Sequence, residues 1–255
     1  MGFAAALIAE NAAFADLLRN ADLSVAVPTC PDWTLDQLMR HVGRGDRWCA
    51  QIVAEKSMDA IDPRDVAGGK PPPDREGAIS WLHDGARLLI DAVEDSGPQT
   101  PVWTFLGPRP AEWWIRRRLH ETAVHRADAP LTLGVDFVIE PLAAADAITE
   151  YLERVVIRVA EFIDSGADPP LRDGQSVHLH ATDVDERADI GEWTISGGPR
   201  GVSVDRGHGR ATVALRGPAR DLLLALVRRG SADDLDLEVF GDRTVWDTWL
   251  DRTPF

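Results

Sequence analysis

The repeat distance of the apolar residues changes once along this chain, near residue 170, and that change limits the possible folds more than any other feature. Before it, apolar residues recur every three or four positions, the period of a helix with one buried face. After it, "SVHLHATD", "EWTISGG", "GVSVDRG" and "ATVALRG" alternate between apolar and polar, with turn residues between them. Alternation of that kind describes strands of an antiparallel sheet. The first part offers helices over about 3–20, 34–57, 76–95, 110–128 and 141–164, joined by Pro/Gly/Asp-rich connections. "ADPPLRDGQ" reads as the linker, "PARDLLLALVRRG" restores helical spacing, and "LEVFGDRTVWDTWLDRT" closes with a strand and a last helix. The expected architecture is α+β in two domains. Residues 1–168 form a helical bundle, and residues 169–255 form a small antiparallel-sheet α+β domain.

Composition narrows the function classes. The chain has 255 residues, 44% of them hydrophobic, enough for a packed core. Its net charge of −15 argues against nucleic acid, whose phosphates require clustered Lys and Arg. An anionic small-molecule substrate would need a local group of arginines against that field. Cys30 and Cys49 match no metal or redox spacing and suggest a reducing, cytoplasmic setting. The apolar N-terminus carries Glu10 and Asp16 and no basic start, so it reads as a first helix and not as a signal peptide. No apolar run reaches membrane-spanning length.

The second helix announces its start. Thr34 and Gln37 fit a capping box, flanked by Trp33 and Leu38 as a hydrophobic staple. Its polar face is Asp36, Arg40, Arg44, Arg47 and Gln51, and its apolar face is Leu35, Leu38, Val42, Cys49 and Ile52. His41 falls on the apolar side, with Gly45 one turn later leaving space above the ring. The Pro-broken aromatic segment "PVWTFLGPRPAEWW" reads as packing rather than as the cover of a cavity mouth.

The fourth helix carries "RRRLHETAVHRADA". Glu121 and His125 lie one turn apart, about 40° around the axis, so both side chains can reach one point. His120 and His125 lie about 140° apart and do not easily share a ligand. An i,i+4 carboxylate–imidazole pair is also a common solvated surface feature, worth about 0.2–0.5 kcal/mol. An inward His41 on a facing helix changes the reading. Two imidazoles and one carboxylate make a three-ligand set that suits zinc with an open fourth position. Of the other histidines, His120 reads as packing or surface, His83 as exposed, and His208 as part of a turn. His178 and His180 share a strand face but lack a third ligand, so they read as surface.

"VPTCPDWTLDQLMRHVGRGDRW" together with "RRRLHETAVHRADA" resembles the mycothiol-dependent maleylpyruvate isomerase family, a branch of the DinB-like metal-binding four-helix bundles. "LRGPARDLLLALVRRG" and "LEVFGDRTVWDTWL" resemble that family's C-terminal domain, which is similar to sterol-carrier proteins. The resemblance implies metal ligands at His41, Glu121 and His125, with Asp128 orienting a ligand and Arg126 a catalytic candidate beside the motif. It implies a C-terminal arginine that shapes the active site and contacts the thiol cofactor. Arg229 matches best and Arg228 nearly as well, because "LVRRG" stands where the family tends to have Trp and Gly.

Zinc (Zn2+) and the low-molecular-weight thiol mycothiol are the implied cofactors, and a small unsaturated acid is the implied substrate. Thiolate addition, bond rotation and elimination give cis–trans isomerisation, with Arg126, Arg118 or Arg229 as partners for substrate carboxylates. Two alternatives stay open. One is mycothiol S-transfer to an electrophile. The other is a non-catalytic ligand-binding or regulatory module, for which Cys30 as a fourth ligand would close the site.

Overall fold

The computed structural model describes residues 2–164, 166, 168–185, 190–199 and 201–253. Ala167 of the expected linker lies outside the described residues. The fold is α+β, with a helical N-terminal part and a sheet-containing C-terminal part. It separates into two compact units, Met1–Phe137 and Val138–Phe255. The sequence reading put the boundary at 168/169, one helix later. That helix packs on a helix and a strand of the second unit, so by contact it belongs there.

The first unit contains four helices: α1 (Phe3–Arg19), α2 (Leu35–Ala54), α3 (Arg75–Ser96) and α4 (Trp113–Leu133). A short ribbon, β1 (Pro101–Val102) and β2 (Arg109–Pro110), precedes α4. The expected capping box opens α2: Thr34 Oγ1 accepts from the Gln37 N–H, and Gln37 Oε1 accepts from the Thr34 N–H at 2.8 Å. Each such bond satisfies an amide that the helix itself leaves without a partner. Trp33 and Leu38 share one apolar cluster, as the staple requires. Asp74 caps α3 through the Gly77 N–H at 2.8 Å. The fourth helix runs five residues beyond its expected end, through Pro130. Gly134 then stops it in the left-handed conformation, at φ 68°. Burial of Ala129 and partial burial of Leu133 in that same cluster offset the bond that Pro130 cannot make.

Glycine sets how closely α2 approaches α3. A Cβ at Gly43 would lie 2.1 Å from the Trp81 ring, so no larger residue fits there. The Trp81 indole also receives the Arg47 guanidinium 4.3 Å from its centroid. Arg47, expected on the polar face, is therefore buried, and it donates to the Gly43 and Trp81 carbonyls. Indole donors pin the long connection between the two helices. Trp48 donates to the Ile61 carbonyl at 2.7 Å and Trp81 to the Gly68 carbonyl at 2.8 Å.

The second unit holds α5 (Pro141–Asp164), strands β3 (Ser176–Ala181), β4 (Glu192–Gly198), β5 (Gly201–Arg206), β6 (Val213–Gly217) and β7 (Glu238–Gly241), and helices α6 (Ala219–Leu226) and α7 (Arg243–Arg252). The sheet order is β5-β4-β3-β6-β7. Three of its pairings are antiparallel, but β3 and β6 run parallel. After the β4–β5 hairpin, the chain does not add β6 beside β5. Residues 207–212 cross back, and β6 enters next to β3 in the same direction as β3. Alternation along a strand cannot reveal that choice, because it reports the buried face and not the neighbour. Trp193 donates to Thr149 of α5 at 3.0 Å, and Tyr151 of α5 donates to the Thr253 carbonyl at 2.8 Å. Among the described residues no helix is long and apolar enough to cross a membrane.

Candidate metal centre

Helices α2 and α4 bring His41, Glu121 and His125 together. One donor atom from each lies within 4.8 Å of the other two. His41 Nε2 and His125 Nε2 each stand 3.4 Å from the same Glu121 oxygen. The two imidazole centroids are 4.9 Å apart and nearly perpendicular, and the Trp33 ring packs against His41 at 4.8 Å, tilted by 49°. His125 is buried, and the other two are partly buried. Burial pushes the His41 imidazole down to about 3, and repulsion from His125, Arg118 and Arg44 adds to it. That ring is neutral across the physiological range, the form in which imidazole binds a cation.

Two of the three ligand candidates, His125 and Glu121, are held from behind. Asp128, fully buried, meets His125 Nδ1 at 2.9 Å and so points Nε2 at Glu121. Thr29 donates to the other Asp128 oxygen at 2.6 Å, and the Cys30 thiol lies 3.4 Å from Asp128. Arg117, one turn before Glu121, pairs with its second carboxylate oxygen. A carboxylate behind a ligating imidazole selects the tautomer and orientation of the ring. Cys30, His125 and Asp128 form a second group close enough for a metal. It uses the opposite edge of the same ring, where Asp128 already accepts from Thr29. The donor chemistry of His41, Glu121 and His125, two imidazoles and one carboxylate, fits zinc with one position left over.

Beside this group lies a cavity of about 270 Å³, whose lining includes His41, Glu121, Arg44, Arg117, Phe105 and Trp114. Phe105 and Trp114 belong to the aromatic segment expected only to pack. That segment does both jobs: Trp114 is buried in a cluster with Trp48 and Trp103, and together with the exposed Phe105 it lines the cavity. Gly45 has a different role from the one expected. A Cβ there would come within 2.7–2.9 Å of the Arg118 guanidinium, so Gly45 admits Arg118 and does not simply clear space over His41.

Arg118 donates to Asp46 at 2.8 Å and to the Val42 carbonyl at 3.0 Å, and Asp46 also accepts from Asn11 at 2.7 Å. Sequence reasoning passed over this buried group. The signal was present, because Asp46 interrupts the apolar stripe of α2 and Asn11 that of α1. Polar residues in such a stripe are buried with partners.

The remaining candidates separate. The Arg126 guanidinium reaches α1, where it pairs with Glu10 at 2.5 and 3.1 Å, and it lies 4.7 Å from the Phe137 centroid. Arg229 belongs to the second unit and donates to the Val227 carbonyl, while Arg228 adopts φ 60° and donates to the Leu250 carbonyl. His120 is buried, and His83 is exposed beside Asp84.

A family model described as "Mycothiol maleylpyruvate isomerase N-terminal domain" matches residues 4–130, and one described as "MDMPI C-terminal domain" matches residues 143–248. Among solved structures, a crystal structure of the mycothiol-dependent maleylpyruvate isomerase matches with a TM-score of 0.51 at 15% identity, over 92% of this chain and 91% of that one. A histidine-to-alanine mutant of the same enzyme matches equally well, with a TM-score of 0.51 at 14% identity. At such identity the likeness bears on the fold alone. No curated protein matches the chain.

Proposed function

Because this chain belongs to the mycothiol maleylpyruvate isomerase family, we propose that it is a zinc- and mycothiol-dependent enzyme that isomerises a small unsaturated acid. The observation that carries this reading is the convergence of His41, Glu121 and His125 beside a cavity flanked by guanidinium groups. Zinc bound there would supply a Lewis acid that holds a thiol as thiolate near neutral pH.

The chain's own residues account for the rest. Asp128 keeps His125 Nε2 facing the shared point, and Arg117 pairs with the Glu121 carboxylate and fixes it in rotation. Arg44, held by its Nε bond to the Gly69 carbonyl at 3.2 Å, and Arg117 line the cavity with positive charge. These guanidiniums give a carboxylate substrate its local attraction within a chain of net charge −15. Phe105, Trp48 and Trp114 make the opposite wall apolar, which limits water around the reacting double bond. Of the two arginines assigned by resemblance, Arg229 stays in the reading as a substrate- or thiol-contacting candidate. Arg126, paired with Glu10, serves the packing of α4 on α1.

The test combines elemental analysis with turnover. Purified protein should hold zinc that His41→Ala and His125→Ala reduce, and with mycothiol it should convert maleylpyruvate while the thiol is regenerated. Thiol consumed in step with product would mean S-transfer to the substrate instead. Native protein without metal, or zinc-loaded protein inert toward maleylpyruvate with mycothiol, refutes the proposal.

A further inference from the structure

The second unit gathers four more metal-binding side chains that the sequence shows as scattered. His178 and His180 project from one face of β3, as alternate residues do. Directly across the ladder, β4 sets Thr194 opposite His178 and Glu192 opposite His180. The crossover that makes β6 parallel to β3 then passes over this face. The Gly207 N–H donates to the Glu192 carbonyl at 3.2 Å, and a Cβ at Gly209 would stand 3.2 Å from Thr194 Oγ1. His208, between those glycines, is thereby laid against Glu192.

The result is three imidazoles directed at one carboxylate. His178 Nε2 lies 3.1 Å and His208 Nδ1 3.0 Å from Glu192 Oε2, and His180 Nε2 lies 3.8 Å from Glu192 Oε1. The ring centroids are 5.7–6.3 Å apart, and one donor atom from each of the four residues lies within 4.8 Å of the others. Tetrahedral bonds of about 2.1 Å put donor atoms about 3.4 Å apart, so the side chains need only small rotations to surround one ion. His178, buried on the sheet, has its other nitrogen 3.0 Å from Thr194 Oγ1. That is the arrangement by which proteins orient a ligating imidazole.

We infer that His178, His180, Glu192 and His208 form a second divalent-metal site, selective for zinc-like ions and separate from the site on α2 and α4. Three nitrogens and one oxygen match the preference of imidazole-rich sites for zinc and its neighbours over magnesium or calcium. All four positions come from the protein, so the site is of the closed, structural kind and offers no corner for a substrate. Its physical effect is to tie the crossover to the sheet through His208, which is 79% exposed in side chain and has little apolar packing to hold it. An adjoining cleft of about 540 Å³, lined in part by His180, Glu192 and His208, leaves the ion a path from solvent.

Zinc titration of the chelator-stripped full chain, with bound metal counted per chain, tests this. Two equivalents are expected for the unaltered protein and one for His208→Ala, whose exposed position makes misfolding an unsuitable explanation. Glu192→Gln, equal in size, should weaken the same equivalent at least tenfold and leave the other unchanged. His41→Ala should remove the other equivalent alone, so the two sites fail independently. If His208→Ala and Glu192→Gln bind as much zinc as the unaltered chain with unchanged affinity, the second site does not exist. If the chain binds a single equivalent, its loss in His208→Ala supports this site, and its loss in His41→Ala refutes it.

Discussion

Replacing Asp46 with alanine removes the anion that pairs with the buried Arg118 guanidinium. Both side chains are out of solvent, Asp46 fully and Arg118 with 7% exposure. The substitution leaves Arg118 its bond to the Val42 carbonyl, and it leaves Asn11 its bond to the Leu82 carbonyl at 3.2 Å. What it cannot replace is charge compensation, and breaking one side of a buried ion pair costs about 3–5 kcal/mol. That is a large share of a total stability of roughly 5–15 kcal/mol. With a urea dependence of about 1–3 kcal/mol per molar, the midpoint should fall by at least about 1 M. The assay is urea unfolding of the full chain followed by tryptophan fluorescence, to which Trp48, Trp103 and Trp114 of the first unit contribute. The double variant Asp46→Leu with Arg118→Met removes both charges and should regain most of the loss, since paired removal is far milder than orphaning. A single-variant cost below about 1 kcal/mol, or a double variant no better than Asp46→Ala, would refute the argument that Arg118 depends on Asp46 for its burial.

Two further outcomes follow from the same structure. Asp128→Asn should lower zinc affinity at the α2–α4 site by about 10–100-fold, because the acceptor that orients His125 loses its charge; competition with a chromophoric chelator measures this, and unchanged affinity would remove Asp128 from the design. Burial pushes the Cys49 thiol up to about 12, so at pH 8 only about one thiol in ten thousand is ionised. Native protein should therefore release thiol-reagent colour from Cys49 only on unfolding, and labelling of folded protein at that position, read by peptide mass, would contradict its enclosure.

Helix and strand positions were legible because they depend on short-range periodicity, and the α2 entrance was legible to the residue through Thr34 and Gln37. The end of α4 was not. Pro130 signals a stop locally, and the packing that carries the helix to Leu133 is non-local. The three ligand candidates were legible in part: helical spacing aligned Glu121 with His125, and the polar break in an apolar face marked His41. Arg118 and Arg126 follow one another closely in the motif but answer to different acids, the buried Asp46 and the partly buried Glu10. No spacing rule shows which acid a guanidinium will find.

By itself the sequence determined that a helical part precedes a sheet-bearing one, roughly where its five long helices lie, and the family; that the fifth helix belongs to the second unit was left to the tertiary structure. What the sequence determined rests on patterns repeated over many residues, where single exceptions average out. Only the tertiary structure decided that β6 lies beside β3, that Gly45 makes room for Arg118, and that His208 meets His178, His180 and Glu192. Each is a contact between residues far apart in the chain. Such contacts are set by how whole elements pack, and no local periodicity encodes that.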